Sequence, residues 1–181
     1  QDLVDSVRPA TLEHVLLFDG DYAARRDAAE PNELVEDVDD DALATLLYTS
    51  GTTSRPKGVL WTHANALWGA RINALHEDLR PEDVHLVHLP LFHTNAQAYS
   101  VLAALWAGCT AVIQPRFSAS RFWPASLRHR CTWTSLIPFC VKALMTQERP
   151  VTHHYRWWGS AVCAPPTDAH FGVPTLGWWG M

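Results

Sequence analysis

The sequence predicts an α/β fold, a mostly parallel sheet flanked by helices. Short apolar runs of strand length alternate with segments of helical periodicity almost throughout the chain, an order typical of strand–helix–strand units. Several of these runs are continuously apolar, as expected for strands covered on both faces. Polar or glycine-containing stretches follow the runs, so we expect a ligand site at the carboxyl ends of the strands.

Before residue 62, the predicted elements lie on either side of one acidic stretch in the sequence. Residues 2–8 could close a helix, and residues 13–20 predict a buried strand with a turn. Residues 30–41 carry seven carboxylates and no basic side chain, which favours a solvated acidic linker over a segment that docks a partner. The apolar runs 43–47 and 59–61 predict two buried strands on either side of a polar loop.

The middle of the chain predicts helix, strand and helix in turn. Asn65 is expected to cap the first helix, which should end at residues 80–83. Its spacing predicts one apolar face, made of Trp68, Ile72, Leu75 and Leu79. Residues 84–89 predict a strand. Residues 97–107 predict a helix that Gly108 stops.

The remaining elements continue the alternation. Strands are expected at four apolar runs, residues 110–114, 131–137, 155–162 and 173–179. Helices are expected over residues 118–130 and 138–148, with at most one helical turn after Ala164. Pro124 should kink or delay the first of these helices, whereas Pro138 suits the opening turn of the second.

Composition narrows the class of protein. The 181 residues, 48% hydrophobic and 18% charged, can form one globular domain with a sizeable core. No apolar stretch approaches the ~20 residues that span a bilayer, and the first residues lack a signal-peptide pattern, so we expect a cytoplasmic chain. The net charge of −5 argues against a nucleic-acid partner. Four cysteines without C-x-x-C spacing suit reduced thiols better than disulfides or zinc.

The strongest chemical signal is the stretch 48–58, Tyr-Thr-Ser-Gly-Thr-Thr-Ser-Arg-Pro-Lys-Gly. Hydroxyls, flexible backbone and one ammonium are suited to holding a polyphosphate. The candidate phosphate-binding residues are Thr49, Ser50, Gly51, Thr52, Thr53 and Lys57. A simple turn between strands is the alternative. A Walker P-loop does not fit, because proline stands where its second glycine belongs and a strand-like run follows Lys57.

The pattern Tyr-Thr-Ser-Gly-Thr-Thr-x-x-Pro-Lys-Gly resembles the signature loop of the adenylate-forming superfamily. That superfamily holds acyl-CoA synthetases, nonribosomal peptide synthetase adenylation domains and firefly-type luciferases. Ser54 departs from the usual glycine. The resemblance implies that residues 1–181 are a partial AMP-binding N-terminal domain. It also implies that the C-terminal domain, with its adenylation lysine, is absent from this sequence.

Residues 90–93, Pro-Leu-Phe-His, resemble the superfamily's second landmark, which lies beside the carboxylate substrate. The resemblance implies an acyl-substrate pocket at His93, Asn95 and Trp178. Amino-acid adenylation domains usually place an aspartate in this loop to pair the substrate ammonium. Because His93 takes that place, an acid without an α-amine is the better substrate. A histidine that only serves the core or the loop is the alternative.

Residues 158–161 resemble the segment that lies against adenine, and residues 177–181 resemble the start of the aromatic-Gly-x-Thr-Glu motif. The implied adenine-binding residues are Gly159, Ser160, Ala161, Trp179, Gly180 and Met181. The Thr and Glu of that motif, for phosphate and magnesium, would follow Met181. The alternative is that the tryptophans are core aromatics. Residues 166–171 are shorter than the usual helix, which could alter the floor of the acyl pocket.

No resident metal site and no catalytic side chain is assigned within these residues. His85 and His88 would point to opposite faces of a strand, so they cannot easily share one ion.

The function implied by the resemblance is ATP-dependent activation of a carboxylic acid to an acyl-adenylate and then to an acyl-CoA thioester. ATP, Mg²⁺ and coenzyme A would be needed, and the small-molecule acid would be the partner. Three alternatives stay open: an adenylation domain that loads a carrier protein, a luciferase-like enzyme, and a non-catalytic nucleotide-binding fragment. We expect residues 1–181 alone to be inactive.

Overall fold

The structure is a computed structural model that describes residues 6, 10–18, 20–32, 37–49, 55–161 and 163–178. The chain divides into two compact units, residues 1–37 and 38–181. In the first unit, helix α1 spans Tyr22–Ala28. The strand predicted over residues 13–20 is wrong for the part that is described. Gly20 N–H donates to the Leu17 carbonyl at 3.0 Å, and this turn leads into the helix instead. The helix predicted over residues 2–8 lies mostly outside the described residues.

The acidic run ends in a turn. The Ala42 N–H donates to the Asp39 carbonyl at 2.9 Å, and the Asp41 N–H donates to the Asp39 carboxylate at 3.0 Å. The Asp40 carbonyl accepts from Ala64 N–H at 2.9 Å. The carboxyl end of the predicted linker is therefore fixed against the start of the second unit's first long helix.

Strands β1 (Leu43–Thr49) and β2 (Lys57–Thr62) form an antiparallel ribbon of two strands. Both strands are longer than predicted, and the prediction that they are buried is wrong. The outward side chains of Leu46, Tyr48 and Leu60 are 51%, 66% and 56% exposed. The continuous apolar pattern arises because both faces of the ribbon carry apolar side chains, of which these three remain open to solvent.

Helix α2 spans His63–His76 and begins one turn before the predicted cap. Thr62 is the N-cap, because its hydroxyl accepts from Asn65 N–H and Asn65 Oδ1 accepts from Thr62 N–H, each at 3.2 Å. The predicted apolar face is wrong: Ala70 and Ala74 are buried, while three larger members of the stripe are exposed, namely Trp68, Ile72 and Leu75. Small side chains allow the neighbouring helix to approach closely.

That neighbouring helix covers residues 94–107 in three segments. They are α3 (Thr94–Ala96), a π-helical turn (Gln97–Leu102) and α4 (Ala103–Ala107). It begins three residues before the predicted start. Gly108 ends it with φ +71°, as the sequence predicts for a glycine in the left-handed region.

The second unit is built on a parallel five-stranded sheet, which confirms the predicted fold class. Its strands are β3 (Val84–Val87), β4 (Thr110–Ile113), β5 (Trp133–Leu136), β6 (Trp157–Ser160) and β7 (Thr175–Gly177). Their order in the sheet is β4-β3-β5-β6-β7, with every neighbouring pair parallel. Most strands are shorter than predicted, yet each lies inside its predicted run.

Three helices complete the alternation with the strands. They are α5 (Ala119–His129), α6 (Pro138–Leu144) and α7 (Pro165–Phe171). Pro124 lies inside α5 without ending it, and Pro138 opens α6 as expected. The prediction of at most one turn after Ala164 is wrong, because proline also suits the first positions of α7. The core contains a cluster of buried rings: Phe122, Trp123, Tyr155, Trp158 and Phe171.

Candidate active site

The carboxyl ends of the strands and the end of β1 surround one cleft of about 490 Å³. Its described lining consists of Leu47, Tyr48, Thr49, His93, Thr94, Asn95, Tyr99, Leu136, Ile137, Ala161 and Trp178. Five separate stretches of the sequence therefore meet at the edge where parallel sheets bind ligands. None of the described lining residues is Asp, Glu, Lys or Arg.

Trp178 forms one wall of the cleft. Its N–H donates to the Ser160 carbonyl at 3.2 Å, extending the pairing of β6 and β7 by one bond. Its ring lies so close to Gly159 that a Cβ added at Gly159 would overlap it. Glycine is therefore required at position 159 by the indole and not by a special backbone angle.

Trp133 and Tyr99 flank the Trp178 ring. The Trp133 ring is stacked on it with centroids 5.9 Å apart, and the Tyr99 ring lies at 5.1 Å. Trp133 is fully buried and its Nε1–H donates to the Glu77 carbonyl at 3.0 Å. Trp133 also stacks on His85 at 5.7 Å. A continuous column of rings thus runs from the cleft into the core.

Two buried titratable groups lie behind this column. His85 Nε2 is 3.6 Å from Glu77 Oε2, and both side chains are fully buried. Burial raises the pKa of Glu77 well above its ordinary value and lowers the pKa of His85 to about 4. Burial thus disfavours the charged form of both groups behind the column.

The ribbon brings Thr49 and Lys57 together. The two residues are paired in the register of β1 and β2, and Thr49 Oγ1 donates to the Lys57 carbonyl at 3.5 Å. Both are exposed. Within the described parts of the chain, no carboxylate lies within ion-pair distance of the Lys57 ammonium.

His93 and Asn95 reach the cleft from the connection after β3. A turn closed by His93 N–H donating to the Pro90 carbonyl at 3.0 Å leads into the 94–107 helix. The His93 carbonyl accepts from Gln97 N–H at 3.0 Å, so the first helical turn fixes this loop. Asn95 Oδ1 is buried without a hydrogen-bond partner among the described residues. A ligand donor can satisfy it.

The predicted site residues are placed as follows. The cleft brings together Thr49, His93, Asn95, Ala161 and Trp178. Gly159 lies beneath Trp178. Ser160 points to the other face of the sheet, where it lines a separate apolar cavity of about 220 Å³. Four predicted residues of the polar stretch, namely Ser50, Gly51, Thr52 and Thr53, lie outside the described residues, as do the predicted Trp179, Gly180 and Met181.

Sequence reasoning missed several lining residues. Tyr99 follows Asn95 by four positions, and this spacing places two side chains on one helical face. Ile137 is the last residue of the predicted strand 131–137, and the carboxyl end of a strand is the position expected at a ligand-binding edge. Both signals were present in the sequence. Leu136, which lines the cleft and also the apolar cavity, has no such signal.

The opposite, amino-terminal edge of the sheet holds a closed ion network. Asp83, Thr132 and Arg156 each directly precede a strand. The Arg156 guanidinium donates to both Asp83 carboxylate oxygens, at 3.0 and 2.6 Å, and the Thr132 hydroxyl donates at 2.7 Å. Burial acts to raise the pKa of Asp83, but these hydrogen bonds outweigh it and hold the pKa below its ordinary value.

Metal and membrane features were searched over the described residues only. No group of three His, Cys, Asp or Glu side chains there is placed to hold a metal ion. No described helix combines the length and apolar character needed to cross a bilayer.

Comparison with solved structures finds the same architecture. O-succinylbenzoate coenzyme A synthetase (MenE) from Bacillus subtilis, in complex with ATP and magnesium ion, has a TM-score of 0.69 and 30% identity. The match covers 82% of this chain and 34% of that one. The N-terminal domain of FACL13 from Mycobacterium tuberculosis has a TM-score of 0.76 over 88% of this chain and 42% of that one. At 23% identity, FACL13 shows the fold alone.

Proteins similar in sequence point to the same family. The crotonobetaine/carnitine–CoA ligase of Salmonella paratyphi C is 38% identical over 149 residues, 78% of this chain and 29% of that protein. The sulfoacetate–CoA ligase of Cupriavidus necator is 36% identical over 165 residues, 87% of this chain and 32% of that protein. The chain thus spans about a third of the length of these relatives. The AMP-binding enzyme family model matches residues 3–176, so the chain belongs to that family, within the adenylate-forming superfamily.

Proposed function

We propose that this chain is part of the N-terminal AMP-binding domain of an acid–CoA ligase that forms AMP. The ligase joins a carboxylic acid to ATP as an acyl-adenylate, releases pyrophosphate, and passes the acyl group to the thiol of coenzyme A. The observation that carries the proposal is the single cleft at the carboxyl edge of the sheet. It collects the end of β1, the His93 loop and Trp178 around one space.

The ribbon end of the cleft suits the phosphates of ATP. Thr49 ends β1 and Lys57 begins β2, and no described carboxylate pairs with the Lys57 ammonium. Hydroxyl and ammonium donors are the groups that hold phosphate oxygens. We assign Thr49, Ser50, Gly51, Thr52, Thr53 and Lys57 to this role. Mg²⁺ would screen charge on the phosphates when bound. The chain's own part is to supply cationic and hydrogen-bonding groups that position the reacting phosphate.

The other end of the cleft suits an acid without an α-amine. A carboxylate is already ionised at neutral pH, so its attack on phosphorus needs no general base. His93, Asn95 and Trp178 would contact the acid, and the described lining offers no carboxylate for a substrate ammonium. Burying such an ammonium without a partner is strongly unfavourable.

The acceptor is proposed to be coenzyme A and not a carrier protein. The relatives with the highest similarity reported above are named as CoA ligases for crotonobetaine or carnitine and for sulfoacetate, and MenE is named as a coenzyme A synthetase. For the adenine, we assign Gly159, Ala161, Trp179, Gly180 and Met181, with Ala161 at the cleft and Gly159 beneath the Trp178 ring. Ser160 is left out of this assignment, because its side chain lines the separate apolar cavity.

The test is a screen of the intact protein that carries this chain. Pyrophosphate release is measured with ATP, Mg²⁺ and a panel of carboxylic and amino acids, and thioesters are identified by mass after coenzyme A is added. We expect acid-dependent pyrophosphate release and a CoA thioester with at least one acid lacking an α-amine. Residues 1–181 alone serve as a control that should show no turnover. Absence of acid-dependent pyrophosphate release, or a clear preference for free amino acids, would contradict the proposal.

A further inference from the structure

The wall formed by Tyr99, Trp178 and Trp133, here called the aromatic wall, closes one side of the cleft. Trp178 and Tyr99 line the space directly, while Trp133 is fully buried behind Trp178. The benzo edge of Trp178 occupies the volume over Gly159, where a Cβ could not be added. A ligand entering past His93 therefore meets the face of an indole instead of an open channel along the sheet.

Contacts of Trp133 and of the Trp178 backbone hold the aromatic wall in place. Trp133 is locked by its hydrogen bond to the Glu77 carbonyl at 3.0 Å and by its stacking on His85. Trp178 is held at its backbone by the Ser160 carbonyl at 3.2 Å. Interiors packed in this way yield little to an added methylene group. Rotation of Trp178 away from the cleft would require the rings behind it to move as well.

We propose that the aromatic wall limits the acid to a short acyl chain, with Trp178 as the residue that meets the end of that chain. Tyr99 and Trp133 are positioning residues that act through Trp178. The inference rests on the proposed function and adds the substrate class, namely short carboxylic acids over medium-chain and long-chain fatty acids. Leu136 and Ile137 also line the cleft and offer apolar contacts to a small acyl group.

A purely structural role for Trp178 predicts a different outcome. Loss of a core ring lowers the yield, the stability or the rate for every acid alike. A size limit instead changes the ratio of kcat/KM between long and short acids. The discriminating readout is therefore the chain-length profile, measured as the ratio for decanoate over butyrate.

The experiment compares the intact protein with its Trp178→Ala variant in pyrophosphate release on straight-chain acids of increasing length. We expect the wild type to favour butyrate, and the variant to raise the decanoate-to-butyrate ratio by roughly 10-fold or more, because one methylene group changes discrimination by about 10–200-fold. Trp133→Phe, which removes the bond to Glu77, should shift the profile in the same direction by less. Trp106→Ala is the matched control, since Trp106 is half exposed on α4 and does not line the cleft.

Calorimetry tests the same limit on acyl length without turnover. It compares the binding of acyl-adenylate analogues with two to ten acyl carbons. A wild-type protein that converts or binds the ten-carbon compound as well as the four-carbon one overturns the inference. An unchanged length profile in Trp178→Ala also overturns it. Either result leaves the proposed ligase activity standing. Failure of every acid to release pyrophosphate would contradict the ligase, and binding would then decide the size limit separately.

Discussion

At the amino-terminal edge of the parallel sheet, both Asp83 carboxylate oxygens accept hydrogen bonds from Arg156. At the carboxyl-terminal edge, Asn95 and Trp178 each keep a buried polar atom without a partner among the described residues. Buried polar groups are nearly always satisfied in folded proteins, so exceptions mark places where a ligand or water completes the bonding. The Asp83 carboxylate thus has its donors within the chain, whereas a ligand in the cleft can satisfy Asn95 and Trp178.

The largest expected effect comes from the ligand edge. Lys57→Ala removes an ammonium that has no partner among the described carboxylates, so adenylation by the intact protein should fall roughly 10²–10³-fold. The free energy of unfolding should change by no more than about 0.5 kcal/mol, because the side chain is exposed. Pyrophosphate release and urea denaturation measure the two effects. Lys142→Ala, at an exposed position on α6, is the control. Wild-type adenylation by Lys57→Ala would remove the loop from the proposed site.

The second effect belongs to the amino-terminal edge. Arg156→Ala leaves the Asp83 carboxylate, only 3% exposed as a residue, without its charged donor. We expect a loss of about 1.5–3 kcal/mol in the free energy of unfolding, the usual range for hydrogen bonds to charged groups. Urea denaturation measures it, with the exposed Arg128→Ala as control. Stability equal to wild type would show that the closed network is not what holds this edge.

The smallest effect is a change in pH dependence. Burial lowers the pKa of both His85 and His88 to about 4 from 6.5, and raises the pKa of Glu77 well above 4.5. Below about pH 6.5, the unfolded chain binds protons on both histidines that the folded chain does not bind until about pH 4, whereas the raised pKa of Glu77 acts in the opposite sense. Two histidines oppose one carboxyl group, so stability should rise with pH between about pH 4 and 6.5.

His88→Leu tests that balance. It removes one of the two histidine protons, so the rise of stability with pH between about pH 4 and 6.5 should become smaller. Chemical denaturation at a series of pH values measures the slope. His154→Leu, outside the buried set, should leave the slope unchanged. A slope in His88→Leu as steep as in the wild type would mean that His88 titrates normally in the folded protein.

The order and type of the sheet elements could be predicted from sequence because the apolar runs are short and clearly separated. The predictions were wrong about which face of an element is buried. In α2, periodicity selects the large side chains Trp68 and Ile72, whereas packing buries Ala70 and Ala74. In the ribbon, apolar strands are exposed on their outer face. Periodicity gives the apolar faces of an element, but it does not say which face a neighbour covers.

For the candidate site too, the sequence predicts some features and does not predict others. The sequence could place Thr49, His93 and Trp178 near one another, because Thr49 and His93 belong to loops after predicted strands and Trp178 lies near the carboxyl end of another. It could not show that the Trp178 ring covers Gly159, nor that Ser160 lies on the other face of the sheet. These are outcomes of side-chain packing between residues that are distant in sequence, and local patterns carry no information about them.

The π-helical turn at Gln97–Leu102 lets the 94–107 helix hold one residue more than a regular α-helix would need. Because the wider turn takes up the extra residue locally, the part carrying Asn95 and the part packed on α2 keep their directions. Deleting one residue within the turn should therefore restore regular α-helix with both parts still in place. A deletion elsewhere in the helix would instead rotate Asn95 by about 100° relative to the part packed on α2. The π turn is thus the segment of this helix in which chain length can change without reorienting the cleft.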